Sequence, residues 1–126
     1  SIAQHLLELN RERASKPAFI DDHGSISYGE LDECVRRMAS GLRSLGLRRE
    51  ERVLVLMHDC TDWPVSYLGA MYAGLVPVCV NTLLTADDYA YMLEHSGCTL
   101  ASVGGGVGFV SAIASTGAQT SCDPTR

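Results

Sequence analysis

A chain of 126 residues with 46% apolar and 20% charged side chains has the composition of one globular domain, or part of one, and not of a disordered polyelectrolyte. A net charge of −5 and a pI near 5.2 argue against a nucleic-acid partner. No apolar run approaches the ~18 residues of a membrane span, and the first residues open into an amphipathic pattern, not a secretory signal, so the cytoplasm is the expected setting.

The first element is a helix: Ile2, Leu6 and Leu9 recur at helical spacing, and Lys16-Pro17 ends the segment after about Arg13. Ala18-Phe-Ile20 and Ser25-Ile-Ser27 flank the Asp/Gly-rich Asp21-Asp-His-Gly24, which predicts a small antiparallel hairpin. Ser27-Tyr-Gly-Glu30 has the spacing of a capping box. The helix it opens carries Leu31, Cys34, Val35, Met38, Leu42 and Leu45 on one face, Arg36, Arg37 and Arg43 on the other, and Gly46 as its C-terminal stop. The charged run at residues 48–52 reads as a solvated turn.

Residues 52–100 set the fold class. Residues 52–57 (Arg-Val-Leu-Val-Leu-Met) form a continuous apolar run, the pattern of a strand buried on both faces. A helix over 61–75 follows, with Val65, Leu68, Tyr72 and Leu75 on one stripe. A second buried strand at 77–80, a helix over 85–95 and a third strand starting at 98–101 complete the series. Strands alternating with helices through short loops predict an α/β fold, a partial parallel βαβαβ sheet. Asp59 and Thr61 are expected to cap the first crossover helix and Thr85 the second, with Tyr89, Met92 and Leu93 on its apolar stripe. Gly69 and Gly74 are expected on the face nearest the sheet.

The turn after the first buried strand is His58-Asp-Cys60. It holds none of the glycines a dinucleotide pyrophosphate requires, so a Rossmann cofactor site is not expected. The five cysteines (Cys34, Cys60, Cys79, Cys98 and Cys122) never form Cys-x-x-Cys and read as free thiols, with Cys34, Cys79 and Cys98 at core positions. The four histidines share no metal-ligand spacing. Residues 1–100 therefore form one ordered unit. Residues 101–126 are mostly Gly, Ala, Ser and Thr, with Asp123 and Arg126 as the only charges. A flexible tail is one reading. The reading favoured by so abrupt a change is a slip of the coding frame near residue 100, leaving a non-native, poorly ordered segment. Gly104-Gly-Gly-Val-Gly108 and Ser115-Thr-Gly117 do not have the spacing of phosphate loops.

Ser27-Tyr-Gly-Glu-Leu31, the strand at 52–57, Tyr67-Leu-Gly-Ala-Met-Tyr-Ala-Gly74 and Val76-Pro-Val78 together resemble the N-terminal region of the AMP-forming acyl-CoA synthetases, the adenylate-forming superfamily. Phe19-Ile-Asp-Asp22, Val80-Asn-Thr-Leu-Leu-Thr85 and Asp88-Tyr-Ala-Tyr-Met-Leu-Glu-His-Ser96 are most similar to bacterial benzoate-CoA and hydroxybenzoate-CoA ligases. The resemblance covers residues 1 to about 100 and implies the N-terminal piece of a larger enzyme domain. It also implies a reaction: an aromatic carboxylate, ATP and Mg²⁺ give an acyl-adenylate, and CoA then gives the thioester. The family's phosphate loop, its adenine- and carboxylate-binding motifs and its catalytic lysine have no counterpart in the matched residues, and Lys16 is the only lysine.

No catalytic, cofactor-binding or metal-binding residue is therefore assigned. The chain alone is expected to be an inactive fragment, marginally stable and prone to self-association through exposed apolar surface and an unpaired sheet edge. The alternative is a stand-alone α/β interaction or ligand-binding module.

Overall fold

The computed structural model describes residues 1–57, 60–80, 83–95, 97–104, 110–114 and 119–120. At its centre is the strand β3 (Arg52–Met57), flanked on both sides by parallel neighbours, β4 (Val76–Cys79) and β5 (Cys98–Gly104). Leu54 lies opposite Val78 on one side and Ala101 on the other. The chain leaves β3 through helix α3 (Asp62–Tyr72) to reach β4, then crosses back over β3 through helix α4 (Ala86–His95) to reach β5. Two right-handed crossovers running in opposite directions place their helices on opposite faces of the sheet. The burial of β3 agrees: Val53, Leu54 and Val55 are 1%, 2% and 0% exposed, yet only Val53 and Val55 join the core formed with Val65 and Leu68 of α3.

The N-terminal part builds a layer onto α3. Helix α1 (Ile2–Leu9) and helix α2 (Tyr28–Ser44) both pack on α3, and a single 3₁₀ turn (Arg11–Arg13) follows α1. Between them β1 (Pro17–Asp21) and β2 (Gly24–Ser27) form the expected antiparallel hairpin. The start of α2 is fixed by the Ser27 Oγ, which accepts from the Glu30 N–H at 3.1 Å. All of its expected core residues are buried except Leu45, which is half-buried. Reciprocal capping boxes form at α1, between Ser1 and Gln4, and at α4, where the Thr85 Oγ1 accepts from the Asp88 N–H, and the Asp88 carboxylate accepts from the Thr85 N–H and hydroxyl.

Three sequence expectations need correction. Gly69 does not face the sheet. A Cβ built there would collide with the Met38 Cγ and lie 2.7 Å from the Met38 Cβ, so the missing side chain admits α2, not β3. Gly74 lies beyond the end of α3 at φ 82°, a left-handed stop like Gly46 at φ 79°, and its carbonyl accepts from the Glu50 N–H at 2.9 Å. Of the three cysteines placed in the core, Cys34 is buried, Cys98 is half-buried and Cys79 is exposed, because β4 is an edge strand. β5 runs on to Gly104, and β6 (Val110–Ala114) and β7 (Gln119–Thr120) add antiparallel to it, giving the order β4-β3-β5-β6-β7. Short antiparallel additions need no crossover helix, so they leave no helical period for a sequence reading to detect.

The helix α3 is buried nearly all round, including the Ser66 hydroxyl, which has no hydrogen-bond partner. A buried orphan hydroxyl carries a desolvation cost. Two substitutions one helical turn apart should therefore act in opposite directions. Ser66→Ala should raise the urea midpoint, by about 1 kcal/mol in unfolding free energy. Gly69→Ala should lower it by about 1–3 kcal/mol through overpacking against Met38. Equal midpoints for the two variants would contradict this packing of α2 on α3.

Candidate functional site

In an open parallel sheet, ligands collect at the carboxyl ends of the strands where the strand order reverses. That reversal lies between β3 and β5, beside the loop leading into α3. His58 and Asp59, read as part of that turn, lie outside the described residues, as does Asn81 in the next loop. The loop re-enters at Cys60, and there the tip of the hairpin meets it. The Asp21 carboxylate accepts from the His23 N–H at 2.8 Å through Oδ1 and from the Thr61 N–H at 2.9 Å through Oδ2. The first bond closes the hairpin turn. The second fastens the hairpin to the N-terminus of α3, 40 residues further along the chain.

Around this tether lies a cavity of about 420 Å³ lined by Phe19, Ile20, Asp21, Asp22, Cys60, Thr61, Trp63 and Pro64. Pro64 fits the first turn of α3, where a backbone N–H would have no helical partner. The Trp63 ring is stacked on Tyr67, with centroids 5.1 Å apart and planes 9° apart. The Thr61 N–H and then the His23 N–H hold the Asp21 carboxyl below the usual carboxylate range. Burial pushes the Cys60 thiol up, which keeps it protonated and a poor nucleophile at neutral pH. Thr61 occupies the N-cap position as expected, but its side chain makes no capping bond; its backbone N–H is taken by Asp21.

Sequence reasoning treated Asp21 as a turn residue and missed its second bond. An Asp at a hairpin tip signals the local Asx turn, but nothing in sequence spacing signals a partner 40 residues away. The arginines of α2 lie on its exposed face as read, and there Arg36 pairs with Asp32 at 2.6 Å and Arg37 with Glu33 at 2.7 Å, each one helical turn apart. Tyr72 collects Arg36 on its hydroxyl and Arg43 on its carbonyl, with both guanidinium groups against the ring. Among the described residues no group of three His, Cys, Asp or Glu side chains could hold a metal ion, and no helix is long and apolar enough to cross a membrane.

The lowered pKa fixes the direction of a pH effect. Asp21 stabilises the folded chain as the anion, fully so above the ordinary carboxylate range, and this contribution is lost as pH falls through its lower folded-state value. Asp21→Asn should therefore lower the urea midpoint at pH 7, with the gap to the parent chain closing as the pH is brought down to about 2–3. A gap that stays constant over that range would show that the carboxylate charge is not what holds the hairpin to α3.

Residues 7–123 match the family described as AMP-binding enzyme. Over 84 residues the chain is 48% identical to the 4-hydroxybenzoate-CoA/benzoate-CoA ligase of Rhodopseudomonas palustris, covering 67% of this chain and 16% of that protein. It is also 48% identical over 92 residues to the benzoate-CoA ligase of Thauera aromatica, covering 72% of this chain and 18% of the relative. The crystal structure of a benzoate CoA ligase from Burkholderia xenovorans superposes on 79% of this chain and 20% of its own, with a TM-score of 0.77 and 56% identity. The chain thus spans less than a fifth of the length of these two curated relatives. It belongs to the AMP-binding enzyme family, as an N-terminal region most like those of the benzoate- and hydroxybenzoate-CoA ligases.

Proposed function

We propose that this chain is the N-terminal scaffold of an aromatic acid-CoA ligase. In the reaction of the whole protein, the carboxylate oxygen of an aromatic acid displaces pyrophosphate from ATP. The CoA thiol then displaces AMP from the acyl-adenylate and gives up its proton. The observation that carries the reading is 48% identity to two benzoate-type ligases, over a stretch that folds like the equivalent part of a third. Mg²⁺, ATP and CoA enter as requirements of that whole protein.

The described residues of this chain do not fit the two anions, ATP and CoA. Among them the cavity wall presents two carboxylates and no basic side chain to what would be polyphosphate anions. Lys16, the only lysine, sits exposed at the entry to β1. No catalytic step is assigned to any residue here, and the role of the chain is architectural. The change of composition after residue 100 is proposed to mark a slip of reading frame. Read in the other two frames, the nucleotide sequence past the Leu100 codon should encode the family's Ser/Thr-Gly-rich loop ending in Pro-Lys-Gly. If neither frame encodes it, the frame-slip reading fails.

Incubated with benzoate, ATP, Mg²⁺ and CoA, the purified chain should form no benzoyl-CoA above background. Grafted in place of the equivalent segment of the Burkholderia xenovorans benzoate CoA ligase, residues 7–100 should support thioester formation with kcat/KM within about tenfold of that enzyme, or about 1.4 kcal/mol. A chimera that folds but turns over no benzoate would overturn the assignment, as would turnover by the chain alone.

A further inference from the structure

The cavity between the hairpin and α3 has a chemistry that the proposed reaction does not use. We infer that it is a binding site for an organic cation, a primary ammonium carried on an apolar or aromatic body. Two of its eight lining residues are carboxylates, Asp21 and Asp22, and none is basic. Asp21 accepts the His23 N–H on Oδ1 and the Thr61 N–H on Oδ2, with the Gly24 N–H as a further backbone donor, and its four lone-pair sites still leave room for one more donor. Phe19, Ile20, Trp63 and Pro64 supply the apolar wall, and stacking on Tyr67 holds the Trp63 ring in place. An ammonium group between carboxylates and aromatic rings gains both coulombic and cation–π attraction. The volume of about 420 Å³ falls in the range of small-molecule pockets.

The inference rests on the chemistry of this wall and stands whether or not the ligase reading does.

Trp63 is the only tryptophan, so its fluorescence reports on this cavity alone. The whole chain is titrated with benzylamine, and in parallel with benzyl alcohol and benzoate as neutral and anionic versions of the same ring. Benzylamine should change the emission saturably, with half-saturation at about millimolar concentration. Benzyl alcohol should bind about tenfold more weakly or worse, and benzoate should give no saturable change. Asp22 is exposed and off the tether, and Asp22→Asn should weaken benzylamine about fivefold without altering the far-UV circular dichroism. Asp21→Asn should weaken it as well, but because that change also loosens the hairpin, the Asp22 variant decides. The inference is overturned if the three ligands act alike, if benzylamine gives no response, or if Asp22→Asn binds benzylamine as the parent chain does.

Discussion

The structure depends on burying β3 from both sides at once. Val53 and Val55 can leave water only because α3 crosses one face, and Leu54 only because the opposite face is covered too. A strand of this kind has no solvent side, so it cannot be stable as part of a hairpin; it requires crossovers in both directions. The order β4-β3-β5 follows, with its reversal between β3 and β5. So does the crowding around α3. That helix must pack on the sheet below while accepting α1 and α2 above, which is why its buried set includes Ser66 and a glycine in contact with Met38.

The same reversal makes the loop into α3 the place where a ligand could be expected, and the hairpin is pinned at that place. Asp21 acts in two ways there. Locally it closes the Asp22-His23 turn, and at long range it puts a carboxylate against the N-terminal end of α3, where the helix dipole favours negative charge. A scaffold that handled phosphates directly would place free backbone N–H groups and a cation at this helix end. Here the Thr61 N–H is already occupied by the protein's own anion, and Asp22 adds a second. The electrostatics are those of a filled anion site.

How much of this could be read from the residues depended on the range of the interaction. Features fixed within one turn of chain were legible: the Ser27 cap, the antiparallel hairpin, the left-handed Gly46, and the exposed arginine face of α2. The strands and their parallel pairing were legible because buried runs alternating with helical stripes admit few topologies. What failed required knowing the neighbour. Gly69 could be recognised as a close-approach residue, but not assigned to α2 instead of the sheet. Cys79 has the period of a core residue and lies on an edge, a distinction set by strand order and not by pattern. The Asp21–Thr61 bond joins two segments that no periodicity relates.

The β4 edge shows a constraint that is legible once the register is known. The Val76 N–H donates to the carbonyl of Glu51, just before β3, and the Val80 N–H to that of Val55 within it, at 2.9 and 3.1 Å. Strand alternation then turns the backbone nitrogens of Pro77 and Cys79 outward, toward the open side. Proline has no hydrogen to offer there. A strand approaching this edge would find one donor, at Cys79, where a regular ladder needs two, so Pro77 sits at a position where it costs β4 nothing and denies pairing to an incoming chain. Non-specific association through this edge is thereby disfavoured, although Val76 and Cys79 are exposed along it. Large apolar side chains are also exposed elsewhere: Ile2 and Leu9 on α1, Phe19 and Ile20 on the hairpin, and Leu83 and Tyr91 in and just before α4. The hairpin pair borders the acidic cavity, so an apolar partner settling on it must also meet Asp21 and Asp22.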